Sequence, residues 1–336
     1  MSSVGDPDMK VIGLEEHLAT RDLFAAWRRF GTQDLVMQLT EEVAEPLMDL
    51  GEGRLRAMNE AGIDTAVLSV TTPGLQQLPP SEALALQAPT NDIIADAVQR
   101  HPDRFQGFAT LATSSPSLAA RELERCIVDL GLQGVMLHTL TGRDFLDAPR
   151  YRAIFEVANH YRAPVYLHPS PPAAAVKVTY YGGLGDTVGG VLGTGAPGWH
   201  FQTGIALLRL ILSGLFDRFP NLRIILGHWG EMVLFYLDRI ALLDGFASLE
   251  RPLKDYFQTN VFITPGGVAS HRYLRWAIEV VGIDRIMHAS DYPFNSAQGF
   301  AARDFLTTAP LSRGDQQKAA HGNWNTILQQ IKRDKI

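Results

Sequence analysis

Cysteine occurs once in the 336 residues, as Cys126, so an internal disulfide framework is excluded. Its place on the apolar stripe of a helix marks it as a core residue, and no thiol chemistry is expected. Positive charge is equally thin. Thirty basic against 36 acidic residues leave a net charge of −6, and the short tail Lys332-Arg333-Asp334-Lys335, read as a solvated helix end, is the one basic cluster. Nucleic acid is therefore not an expected partner. Long apolar runs are missing too: the most apolar helical segment, Leu207 to Phe216, is broken by Arg209 and Ser213, so no membrane span is expected. The opening residues Met1 to Asp8 lack the basic and apolar regions of a secretory leader. These absences together predict a soluble cytoplasmic protein.

What the chain does have is alternation. Eight short runs rich in Val, Ile, Leu or Phe occupy residues 11–17, 65–70, 105–111, 134–139, 164–169, 222–230, 261–266 and 286–293. Between them lie segments of helical period, such as Pro116 to Leu130, which is read with Leu118, Leu123, Cys126, Ile127 and Leu130 on one stripe. Prolines in His101-Pro102-Asp103 and Phe219-Pro220-Asn221 stop helices just before a strand. Strand and helix alternating eight times predict an α/β fold, a (β/α)8 barrel, as a single domain over residues 10–332 after a flexible N-terminal segment at 1–9. A doubly wound open sheet would carry a glycine-rich turn after strand one, where the chain reads Glu-Glu-His-Leu-Ala-Thr.

One insertion, at about residues 170–199, interrupts the pattern with Gly182, Gly183, Gly185, Gly189, Gly190, Gly193, Gly195 and Gly198. It contains no Gly-Lys-Ser/Thr and no strand-to-helix Gly-x-Gly-x-x-Gly, so it is not a phosphate cradle. It reads as a long structureless loop serving as a lid or a subunit contact. The helix that follows is apolar on more than one face across Ala206 to Leu212 and must be covered. A neighbouring subunit is the expected cover, in a homodimer or homotetramer.

The chemistry gathers at strand ends. Glu15-Glu16-His17 closes the first run, where a two-residue period puts Glu15 and His17 on one face. A carboxylate and an imidazole side by side make half of a divalent metal site. Three later runs end in the same kind of residue: Pro164-Val-Tyr-Leu-His168, Leu222-Arg-Ile-Ile-Leu-Gly-His228 and Arg285-Ile-Met-His-Ala-Ser-Asp291. All lie at the C-terminal ends of strands, the face on which barrel enzymes build their active sites. One ion per chain is expected, because no lysine at a strand end is placed to bridge a second. His101 and His160 close helices and read as surface or capping residues, whereas His271, His288 and His321 have no partner that the sequence names.

These residues carry a family likeness. Leu14-Glu15-Glu16-His17, Tyr166-Leu167-His168-Pro169, Ser213-Gly214-Leu215-Phe216-Asp217, Ile224-Ile225-Leu226-Gly227-His228-Trp229-Gly230-Glu231 and Ser290-Asp291-Tyr292-Pro293-Phe294 resemble the metal-dependent decarboxylase branch of the amidohydrolase superfamily. Within that branch the chain looks like the γ-resorcylate decarboxylases, with the 2,3-dihydroxybenzoate and 5-carboxyvanillate decarboxylases similar as well, and the likeness runs from about residue 10 to residue 328. The resemblance implies that Glu15, His17, His168 and Asp291 hold one divalent ion, Zn²⁺ or Mn²⁺, with His228 beside the substrate and Glu231 holding His228. The implied substrate is a small hydroxylated aromatic carboxylate that meets the ion through its carboxylate and ortho oxygen. Asp291 is implied as the proton donor to the ring carbon.

The chain departs from that pattern at two strand ends. His138-Thr139 stands where the resorcylate enzymes carry a small polar residue, and Ser69-Val-Thr-Thr-Pro73 replaces their Asn-Ala-Pro. Thr72, His138, Trp199, His200 and Phe294 are therefore assigned to the substrate pocket. His138 is alternatively a further ligand or a structural hydrogen bonder, and His200 alternatively an interface contact or helix cap. Two other classes stay open: a metal-dependent hydrolase of a lactone, ester or amide in which His228 or Asp291 activates water, and a metal-binding barrel without catalysis.

Overall fold

The computed structural model describes residues 8–30, 41–294 and 301–334. The β-branched and aromatic runs form strands β1 (Ile12–Leu18), β2 (Thr65–Val70), β3 (Phe105–Ala109), β4 (Gly134–His138), a small hairpin of β5 (Leu140–Thr141) and β6 (Asp144–Phe145), then β7 (Val165–His168), β8 (Ile224–Leu226) and β9 (Val261–Ile263). The sheet runs β1-β2-β3-β4-β7-β8-β9, every pair parallel. Helices such as Pro80–Arg100, Pro116–Val128 and Arg152–Tyr161 return the chain between strands, the crossover that parallel pairing requires.

The eighth run does not form a continuous strand. It touches both sheet edges through single bridges, Ile263 to Ile286 on one side and Gly13 to His288 and Glu16 to Tyr292 on the other. Met287 N donates to the Ile263 carbonyl at 2.9 Å, and Leu14 N and His17 N donate to the carbonyls of His288 and Tyr292 at 3.0 and 2.8 Å. The ring is thus closed. What breaks the ladder is a side chain: the Ser290 amide donates to Glu16 Oε1 at 2.9 Å and its hydroxyl to Glu16 Oε2 at 2.5 Å. Inside the ring Ile12, Leu14, Val67, Phe108, Met136, Tyr166, Ile225, Phe262 and Met287 form one buried layer, with Trp324 and Ile327 joining it. All eight runs contribute to it, the packing expected of a filled barrel interior.

Several sequence expectations change here. The glycine-rich insertion is helical rather than structureless, with helices at Ala174–Val176, Lys177–Tyr181 and Asp186–Gly193 leading into Gly198–Leu212. Its glycines allow close packing: a Cβ on Gly189 would lie 2.4 Å from the Tyr181 carbonyl oxygen, and one on Gly198 would lie 2.5 Å from the Gly193 backbone. Ala206, Leu207, Leu208, Leu210 and Ile211 are buried within the chain itself, so the cover for that helix is intramolecular. Leu118 leaves the stripe of its helix and is exposed, because five residues from Leu123 is 140° of helical rotation; Ala119 and Ala120 take the buried face. Arg333 is tied down by the carbonyls of Ile127 and Leu132 rather than solvated as a free tail. Of the segment expected to be flexible at 1–9, residues 1–7 lie outside the described residues, whereas Met9 is buried and its carbonyl accepts from Arg303 Nε at 3.0 Å. Among the described residues no helix is long and apolar enough to cross a membrane.

The register of β1 against β2 slips between Gly13 and Glu16. This bulge lets Glu16 fold back over Gly13, where a Cβ would lie 2.2 Å from Glu16 Oε1. Glu16 is pinned by Ser290 and cannot simply swing away. Gly13→Ala is therefore expected to destabilise the protein by about 1–3 kcal/mol, the usual cost of overpacking. A denaturant titration checks it, and an unchanged midpoint would dismiss the Glu16 clamp as a structural constraint.

Candidate metal centre

The strand ends converge on Glu15, which is completely buried. Its Oε2 accepts from the Tyr166 hydroxyl at 2.5 Å, and that hydroxyl meets Thr264 Oγ1 at 2.7 Å. Burial, with Glu15 beside it, pushes the Tyr166 phenol well above its usual range, so it stays a donor. The other oxygen, Oε1, has no hydrogen-bond partner. It faces His168 Nε2 at 3.1 Å, His17 Nε2 at 3.8 Å and His228 Nε2 at 3.9 Å. Burial alone would protonate Glu15, but His228, His168 and His17 hold it well below the usual carboxylate range.

His168 Nδ1 donates to the Pro169 carbonyl at 2.9 Å, which puts the ring's metal-binding lone pair on Nε2. That lone pair and Glu15 Oε1 confront each other across 3.1 Å. Only a proton or a cation between them makes the contact favourable. His17 Nε2, buried and also without a partner, lies 3.3 Å from Asp291 Oδ1. Its Nδ1 is 3.3 Å from Ser69 Oγ, and Arg54 Nη2 donates to its carbonyl at 2.5 Å. The donor atoms of Glu15, His17, His168 and Asp291 all lie within 4.8 Å of one another, so this set of two carboxylates and two imidazoles can hold one divalent ion.

A second cluster lies beside it. After β8 the chain turns through five consecutive positive φ values, at His228 (46°), Trp229 (56°), Gly230 (88°), Glu231 (52°) and Met232 (69°). Left-handed backbone costs a non-glycine residue roughly 1–2 kcal/mol, so the turn must be held by its surroundings. Trp229 Nε1 donates to the Val268 carbonyl at 2.7 Å, and its amide to Thr264 at 2.9 Å. Gly204 and Gly266 permit the close approach, since Cβ atoms there would lie 2.4 Å from the Glu231 carbonyl oxygen and 2.6 Å from the His228 amide. The result places His228 Nδ1 2.7 Å from Glu231 Oε1 and His200 Nδ1 2.7 Å from Glu231 Oε2. Trp199 Nε1 donates to His200 Nε2 at 3.1 Å. Burial disfavours the His228 imidazolium, but Glu231 and Glu15 outweigh it and raise His228 to about 10. Glu231 is lowered against its own burial by His228 and His200.

Eight parallel runs in a closed ring, with carboxylate and imidazole donors at their C-terminal ends, match a known architecture. A profile described as amidohydrolase matches residues 19–323. The chain belongs to the amidohydrolase family. It is 33% identical over 332 residues to γ-resorcylate decarboxylase from Polaromonas sp. strain JS666, covering 94% of this chain and 98% of that relative. Among solved structures it resembles 5-carboxyvanillate decarboxylase from Sphingomonas paucimobilis, at 31% identity and a TM-score of 0.86 over 97% of this chain and 100% of the other. It also resembles a dihydroxybenzoic acid decarboxylase from Polaromonas sp. JS666, solved with manganese and the inhibitor 2-nitroresorcinol. That likeness has 31% identity and a TM-score of 0.84 over 95% of this chain and 97% of the other.

Phe294 stands with its ring 5.8 Å from that of His17. Thr72 is buried with a hydroxyl that has no partner. His138 is buried, bonded through Nδ1 to Gln76 Oε1 at 2.9 Å, and lies outside the four-donor group. His200, taken from the sequence as one of several pocket residues, is a partner of Glu231. Tyr166, Glu16, Arg54 and Gln76 were not singled out by sequence reasoning. Tyr166 carried a usable signal, since two residues before His168 the strand period puts it on the same inward face.

The ligand set makes a stoichiometric prediction. Metal analysis should find one divalent ion per chain, and Glu15→Gln and His168→Ala should lose it, while His228→Asn retains most of it. Tyr166→Phe, which removes the hydrogen bond orienting Glu15, is expected to weaken metal affinity by about 10–100-fold. Two ions per chain, or a Tyr166 variant with undiminished affinity, would contradict the arrangement.

Proposed function

We propose that this amidohydrolase is a non-oxidative decarboxylase of a hydroxylated aromatic carboxylic acid, with Glu15, His17, His168 and Asp291 as the ligands of one divalent ion, Mn²⁺ or Zn²⁺. The observation that carries this reading is His228. With Nδ1 clamped by Glu231 at 2.7 Å and Nε2 facing Glu15 at 3.9 Å, it is favoured as a cation, suited to hold an anionic carboxylate rather than to take a proton from water. The likeness to γ-resorcylate decarboxylase over nearly the whole chain supports the same reading.

When bound, the divalent ion supplies positive charge to the substrate's carboxylate and ortho oxygen. The chain's own residues do the rest. His228 donates from Nε2 to the substrate carboxylate, Glu231 keeps His228 charged, and His200 fixes the second oxygen of Glu231. Asp291 delivers a proton to the ring carbon that bears the carboxylate, using a ring π-electron pair. The bond to the carboxylate then breaks, its electron pair returns to the ring, carbon dioxide leaves, and Asp291 is reprotonated from water. A solvent hydrogen therefore ends on the ring.

The test follows from that last step. With Mn²⁺ supplied and a panel of ortho-hydroxybenzoates in deuterated water, the product should carry one deuterium at the carbon that lost the carboxylate. Asp291→Asn should abolish turnover while substrate still raises the melting temperature. A hydrolase gives no such exchange and instead places ¹⁸O from labelled water in a carboxylate product, so turnover confined to lactones and esters would replace the decarboxylase reading.

A homo-oligomer belongs to the same proposal, with the glycine-rich insertion at the contact. Val178, Tyr180, Val188, Phe201 and Ile205, on the glycine-rich insertion and the start of the helix after it, are at least 49% exposed, an apolar concentration that monomers rarely leave in water. Light scattering should return two or four chain masses, and a single chain mass at micromolar concentration would rule this out.

A further inference from the structure

The end of the barrel opposite the metal centre gathers positive charge that the decarboxylase reading leaves unused. Ile225 and Met287 belong to the interior layer, and two residues before each, on the same inward side by strand period, stand Arg223 and Arg285. The Arg285 guanidinium carbon lies 4.8 Å from the centre of the interior Phe262 ring. Arg223 stands just before β8, where its carbonyl accepts at 2.9 Å from the amide of Val165, the first residue of β7. Arg162, three residues before Val165, turns the chain out of the preceding helix at a positive φ of 54°. All three side chains are partly exposed.

The stretch from Asn323 to Lys332 crosses this floor and meets each arginine in turn. Asn323 Nδ2 donates to the carbonyls of Ile283 and Ile286, on either side of Arg285, at 2.8 and 2.7 Å. Gln330 Oε1 accepts from Arg223 Nη2, and the Lys332 amide donates to the carbonyl of Tyr161, next to Arg162, at 2.8 Å. Trp324, bonded to Gln106 at 2.7 Å, and Ile327 cover the rest of the floor with apolar surface. The arginines thus stand side by side along one edge of that cover. Burial, with Arg162 and Arg285 nearby, pulls Arg223 below its ordinary range.

Nothing among the described residues neutralises the group. No ion pair reaches any of the three, and Arg162 Nε and Arg223 Nη1 have no hydrogen-bond partner. The carboxylate beside Arg285, that of Asp284, is taken by Lys318 Nζ at 2.8 Å. A guanidinium stays charged at any working pH, and a chain of net charge −6 has carboxylates to spare for pairing. Like charges gathered at one mouth concentrate counter-ions. Several guanidinium forks together suit the oxygens of a tetrahedral dianion, whereas a single carboxylate balances one charge of three.

We propose that Arg162, Arg223 and Arg285 form an oxyanion site on the barrel floor, at the opposite strand ends from the metal centre, that takes phosphate: the free ion or the phosphoryl group of a small phosphorylated molecule.

The probe is inorganic phosphate, added to the Mn²⁺-loaded protein and compared with chloride at the same ionic strength, with calorimetry and the melting temperature as readouts. Phosphate should raise the melting temperature by about 3–6 °C at saturation. Arg223→Gln should weaken phosphate binding about 10–100-fold, and Arg162→Gln repeats the test if the first variant does not fold. Phosphate also binds Mn²⁺, so Glu15→Gln, which gives up the metal, is the control in which the effect should survive. Equal melting in phosphate and chloride, an effect that persists in both arginine variants, or one that vanishes with the metal overturns the site. Glycerol phosphate and phenyl phosphate separate the two sources. An ester that binds at least about tenfold more tightly than phosphate, and does so through the arginines, assigns a phosphorylated molecule, while equal or weaker binding assigns the free ion.

Discussion

The contact on which the site depends is the one between Glu15 Oε1 and His168 Nε2, 3.1 Å apart in the interior of the barrel. A fold does not bring such atoms together for its own stability, because a buried carboxylate oxygen without a donor costs several times what an ordinary hydrogen bond contributes. Much of the surrounding structure serves to make that arrangement persist. Tyr166 occupies the other oxygen of Glu15 and is itself held by Thr264. Gly227 leaves room for this pair, since a Cβ there would lie 3.1 Å from both Glu15 Oε2 and the Tyr166 hydroxyl. Pro169 turns His168 so that its free nitrogen points inward. Each of these is a constraint on orientation rather than a source of stability, which is how surrounding residues tune a metal site.

The same logic extends to the neighbouring cluster. Glu231 is shared between two imidazoles, and the left-handed turn that carries it would be unstable without the helix Gly198–Leu212 packed against it through Gly204. The glycine-rich insertion therefore has a structural consequence at the centre of the protein: it ends where Trp199 and His200 must reach Glu231. Strain concentrated in the four non-glycine residues of one turn is tolerated because the packing around it over-determines their conformation.

How much of this could be read from the sequence depends on whether the signal was local. Strand ends are local, and the residues that converge, Glu15, His17, His168, His228 and Asp291, were all visible as the last polar residues of apolar runs. Glu231 was visible through its spacing from His228. The bulge in β1 was not, because a register slip of one residue is a property of two strands and leaves no trace in the composition of either. With it went the role of Glu16, which binds Ser290 and turns the eighth run from a strand into a series of bridges. Helical order in a glycine-rich stretch was equally hidden, since the reason for those glycines is the approach of another backbone rather than chain freedom. The helix Gly198–Leu212 looked too apolar to stand alone because its cover comes from segments far away in sequence.

A barrel rim with the same metal-ligand types can serve hydrolysis or decarboxylation, so the choice between them lies in which groups carry protons. Here the environment separates the titratable groups. Glu15 and Glu231, each surrounded by imidazoles, are lowered despite complete burial, whereas His228, placed between them, is raised. His138, driven down by its burial and with His168 and His17 rather than carboxylates beside it, goes the other way. The rim therefore places an imidazole favoured as a cation between two carboxylates favoured as anions, a distribution suited to an anionic ligand. A site built to activate water needs an unprotonated base beside the ion; Glu231 and Glu15 favour the charged form of His228, so in a hydrolase that task would fall to the carboxylate of Asp291.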